Sequence, residues 1–120
     1  MTTRTALALV ALAFVAFGAG LLLLPDLILG TIAGVELNAG AVVLARLVGG
    51  MNLAVGAAVW LMRDARQQQV LLALALGEAI HAPIIAWATS AGIMNGVGWL
   101  IAAASAAIGL GLVYGARTGG

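Results

Sequence analysis

Four side chains able to do chemistry lie inside long apolar stretches of this sequence: Arg46, Asn52, Glu78 and His81. Glu78 and His81 are three residues apart, so on a helix they share one face. A carboxyl beside an imidazole can take up a proton, hold a cation, or receive the polar head of a ligand, and an ionisable group surrounded by lipid is costly unless it does something of this kind. Arg46 and Asn52 come from an earlier stretch and are candidates to join the same cluster. The ligand- or proton-binding candidates are therefore Glu78, His81, Arg46 and Asn52.

Each has a plainer reading. Arg46 is placed to snorkel toward lipid headgroups or to pair with Glu36, Glu78 to fasten two helices by a hydrogen bond, and His81 to be a satisfied interior residue. A Glu-x-x-His pair is also half of the four-helix di-iron pattern, which needs a second such pair and two more carboxylates. The remaining acidic residues, Asp26, Glu36 and Asp64, fall outside the apolar runs, so no metal site is expected. Haem or a pigment at His81 is the single cofactor option, and nothing else in the chain identifies a tetrapyrrole, so no cofactor is predicted. With zero cysteines, no glycine-rich phosphate loop after a strand and no Ser/His/Asp set, no catalytic residues are assigned. An enzyme using Glu78 and His81 on a lipid-soluble substrate ranks third among the functional readings.

The elements that must position these residues follow from composition. Of 120 residues, 64% are hydrophobic and 8% charged, and the mean hydropathy is +1.19; only a membrane suits such a chain. Apolar runs predict four transmembrane helices at about 6–24, 40–62, 70–90 and 97–115, in a single domain covering 1–120. Residues 26–39 read as an outer connector or short interfacial helix, and 63–69 (RDARQQQ) as a cytoplasmic loop. Pro83 is expected to kink the third span. Arg4, Arg63, Arg66 and Arg117 then fall on one side, with Asp26 and Glu36 on the other, which predicts both termini inside. Trp60 and Tyr114 at the inner boundary, with Trp87 and Trp99 at the outer one, agree with that layout. A cleavable signal peptide is not expected, because the first apolar run of 19 residues is long for one and its removal would scatter the arginines.

The fold class is thus an all-α, integral membrane four-helix bundle, N-in and C-in. Small residues offer close helix contacts: Gly49, Gly50, Gly56 and Ala57 on span two, Gly98, Ala102, Ser105, Ala106 and Gly109 on span four, and a GxxxG at Gly111 and Gly115. Asn52 and Glu78 fall near the midplane, and the cluster is expected between spans two and three, with Arg46, about 8 Å inside the outer boundary, reaching toward it.

The segments ARLVGG (45–50), WLMRDAR (60–66) and NGVGW (95–99), with the four-span layout, resemble the small four-helix bacterial membrane proteins of DoxX-like and domain-of-unknown-function type. The resemblance implies the fold and a multi-pass place in a bacterial inner (cytoplasmic) membrane; it assigns no residue a role. Two functional expectations result. One is a module binding or transporting a proton, a cation or an amphipathic small molecule. The other is a structural or accessory subunit whose polar residues serve helix packing. The expected partners are the lipid bilayer, a homodimer or a larger membrane complex, and no nucleic acid.

Overall fold

The computed structural model describes residues 1–65 and 67–118. Arg66, counted above among the inner arginines, lies outside the described residues. Among them the chain is entirely helical: α1 (Thr3–Leu23), a π-helical turn (Asp26–Ile32), α2 (Ala39–Leu61), α3 (Gln68–Ser90) and α4 (Val97–Arg117). All four α-helices are long and apolar enough to cross a membrane, making this a multi-pass membrane protein.

Local chemistry sets the helix ends. Where lipid offers no hydrogen bonds, the helix satisfies its own backbone, and only its termini need other partners. Thr2 caps α1 by accepting from the Thr5 amide at 3.1 Å, and Asn38 caps α2 by accepting from the Ala41 amide at 2.8 Å. Pro25 follows the end of α1 and opens the π-helical turn. Gly34 (φ +70°) and Gly92 (φ +79°) take left-handed conformations in the two connectors at that end, where a side chain would be strained. α3 runs unbroken through Pro83, which is exposed.

Glycine decides which helices touch. A Cβ on Gly49 would lie 2.6 Å from the Leu22 amide nitrogen and 2.7 Å from the Gly18 carbonyl oxygen, so α1 and α2 approach backbone to backbone. On α4, Gly109 faces the Glu78 Cβ of α3, while Gly111 and Gly115 receive Val10 and Leu7 of α1. The GxxxG pair is therefore spent on a contact inside the chain. α2 packs on α1, α1 on α4, and α4 on α3, but α2 and α3 share no comparable interface. This corrects the expectation that spans two and three pack around the polar residues. The close-contact glycines of α2 are turned to α1 instead, while Gly50 of α2 and Gly77 of α3 have nothing within 4 Å of where a Cβ would stand.

The core occupies one half of the bundle. Leu7, Val10, Ala11 and Phe14 of α1 meet Val59 of α2, Leu71 and Ala75 of α3, and Leu112 and Ala116 of α4, all toward the end that carries the termini. That end is also laced by polar contacts: Tyr114 donates to the Met1 carbonyl at 2.9 Å, the Thr3 and Thr118 hydroxyls lie 2.6 Å apart, and Arg4 pairs with Asp64 at 2.5 Å. At the opposite end, Asn95 joins the two connectors. Its amide nitrogen donates to the Ala33 carbonyl and its side chain to the Ile32 carbonyl, both at 2.9 Å.

Candidate functional site

The other half of the bundle holds a cavity of about 410 Å³. All four helices and Leu29 of the π-helical turn line it, from the bundle's middle toward the connectors. Its walls are apolar, with Phe17, Leu21, Ile85 and Ile101 among them, and four polar side chains reach it: Asn52, Glu78, His81 and Ser105. Each of these lies within two residues of the midpoint of its helix, about 3 Å along the axis. They form a polar level between the solid half and the hollow half.

Glu78 is the centre of that level. It is buried at 7% exposure, with Gly109 giving it room, and its Oε2 accepts a hydrogen bond from the Ser105 hydroxyl of α4. Its other oxygen faces His81, whose Nδ1 stands 3.9 Å away, beyond hydrogen-bond length. The His81 side chain is 59% exposed, which makes it a residue of the rim. Asn52, half-buried on α2, borders the cavity from the other hairpin. Asn52, Glu78 and His81 thus share one cavity, though α2 and α3 do not pack on each other.

Arg46 is placed apart. It is exposed, about 10 Å from the start of α2, its side chain forms no hydrogen bond or ion pair among the described residues, and it does not line the cavity. The expected reach toward Glu78 or His81 is absent: on α2 the residues lining the cavity are Ala45, Val48 and Asn52, and Arg46, one residue beyond Ala45, is turned off that face. Ser105 is the residue that spacing alone undervalued, since it reads as one small residue in a packing stripe. Folding α3 and α4 back on the 91–96 turn brings the α4 turn carrying Ser105 and Gly109 to the depth of Glu78, and that register is its signal. Asn95 was likewise hidden inside a turn-forming segment.

Chemically, the site offers one carboxyl, one hydroxyl, one imidazole and one amide to a ligand otherwise surrounded by hydrocarbon. Among the described residues no group of three or more His, Cys, Asp or Glu comes together. Fold and site define a class: a four-helix multi-pass membrane protein with a one-ended interior cavity and a polar level at mid-depth. Compared with known proteins, the chain matches no family model, no curated protein and no solved structure.

Proposed function

We propose that this protein binds an amphipathic small molecule within the bilayer, its apolar body in the cavity and its hydrogen-bonding head on Glu78 and Ser105. The observation carrying this reading is a buried carboxyl, hydrogen-bonded from one side, in the wall of an otherwise apolar cavity. A dehydrated metal cation would ask for several oxygen ligands, more than this level supplies. Transport along the bundle axis is disfavoured, because the packed core of Leu7, Leu71 and Leu112 lies between the cavity and the termini. The side between α2 and α3, where the helices do not pack, is the route from lipid. In this reading the arginine-bearing end faces the cytoplasm of a bacterial inner membrane, Arg46 snorkels to outer headgroups, and the likeness to DoxX-like proteins is one of fold.

The fastening role also has an observation in its favour, since the Ser105–Glu78 hydrogen bond ties α4 to α3. Titrating the detergent-purified protein with dodecylamine and dodecanoate, read by native mass spectrometry, separates the two. Ligand binding requires that the amine be retained over the carboxylate, that Glu78→Gln weaken it about tenfold, the loss of one charged hydrogen bond, and that Ala104→Phe block it in a folded protein. Equal retention of both amphiphiles, unaffected by Ala104→Phe, would sink the ligand reading. A Glu78→Gln variant that only lost stability would favour fastening.

A further inference from the structure

A second set of residues, none shared with the interior cavity, forms a continuous feature on the face of the α1–α2 hairpin. Near the termini is a pocket of about 190 Å³ bordered by Arg4, Thr5, Trp60 and Arg63. Next to it, sharing Trp60, is an apolar groove of about 380 Å³ running between the helices past Leu12, Val15, Gly56 and Ala57. Gly56 sets its depth, since a Cβ there would stand 2.7 Å from Val15 Cγ2 and hold the helices apart. From Arg4 to Val15 the feature, polar pocket and groove together, extends about 16 Å along α1, about the depth of one leaflet's hydrocarbon.

The polar end is cationic by arrangement. Arg63 lies 4.1 Å over the Trp60 ring and donates to the Trp60 carbonyl at 2.6 Å, which fixes its guanidinium at the mouth of the groove. Arg4, 63% exposed, bonds Asp64 Oδ1 through Nε and keeps its two terminal nitrogens for another acceptor. Asp64 Oδ2 is 3.8 Å from Arg63, so one carboxylate is shared by two guanidiniums and a positive charge is left over. Two forked donors beside a tryptophan and above an apolar groove match a phosphate with the upper part of an acyl chain attached.

The geometry points to a bound anionic phospholipid on this face, its phosphate between Arg4 and Arg63 and one acyl chain in the groove under Trp60. The test is native mass spectrometry of the detergent-purified protein titrated with phosphatidylglycerol, phosphatidylcholine of the same chains, and glycerol-1-phosphate. Phosphatidylglycerol should be held about tenfold more tightly than phosphatidylcholine, and chainless glycerol-1-phosphate should not be retained. Replacing both arginines (Arg4→Gln with Arg63→Gln) should erase the preference, and Ala57→Phe, which fills the groove from its exposed rim, should weaken both lipids. Asp64→Asn, by freeing Arg4, should strengthen phosphatidylglycerol binding, a gain that damage to the fold would not produce. Equal retention of the two lipids, a preference that survives loss of both arginines, or no gain in Asp64→Asn would overturn the assignment. Glycerol-1-phosphate binding as tightly as phosphatidylglycerol would overturn it too, making this a site for free phosphate esters.

Discussion

The half of the bundle carrying the termini is solid, and the half carrying the connectors is hollow, although both are built from the same four helices of similar composition. In the solid half, Leu7, Leu71 and Leu112 are fully buried against one another's helices. In the hollow half, residues just as apolar, such as Ile85 and Ile101, border a cavity and are only half-buried. Lipid supplies little hydrophobic drive between helices, so what separates the halves is van der Waals packing. Packing fills the bundle at one end and leaves a cavity at the other. The polar residues lie at the boundary, where a ligand can reach them and core packing stops.

The largest expected effect tests that division directly. Leu112→Ala removes a side chain with no exposure and should cost about 2 kcal/mol, the low end for core truncations, because lipid is itself apolar. Ile101→Ala, which only widens an existing cavity, should cost less than about 1 kcal/mol. SDS-titrated unfolding of the two variants in micelles measures the gap; equal losses would mean the hollow half is packed as the solid one is.

The number of helices and their membrane character were legible because apolar runs of that length admit no other arrangement, and Glu78 and His81 stood out as costly residues in such runs. Which helices pack together was not legible. Gly49, Gly50, Gly56 and Gly77 look alike in sequence, yet a Cβ on Gly49 or Gly56 would strike α1 while one on Gly50 or Gly77 would meet open space. Pairing is a property of two faces at once, and one chain read linearly shows each face without its partner. The same reason hid Ser105 as the partner of Glu78 and made Arg46 look available to them, when one residue along α2 turns a side chain by about 100°.

A smaller effect concerns what keeps the hollow half from splaying. Asn95 ties both connectors together with two donated hydrogen bonds, and its side-chain oxygen accepts from the Val97 amide at 3.0 Å. Asn95→Ala keeps the backbone bond and should cost about 1 kcal/mol. Faster hydrogen exchange should be confined to residues 26–38 and 91–97, with the core around Leu7 and Leu112 unchanged. Exchange rising evenly over the whole bundle would show that the two ends are not separately held.

The smallest effect sharpens the boundary itself. Ser105→Ala removes the donor to Glu78 while leaving the apolar walls intact, and side-chain hydrogen bonds between membrane helices average about 0.6 kcal/mol. A double-mutant cycle with Glu78→Leu isolates that pair, since either change alone removes the hydrogen bond. A coupling of about 0.6 kcal/mol would make the pair a modest tie whose main consequence is to orient the carboxyl for an occupant. A coupling above about 2 kcal/mol would exceed what such bonds usually contribute and would move Glu78 and Ser105 to the solid half in energetic terms, as part of the machinery that holds α3 to α4.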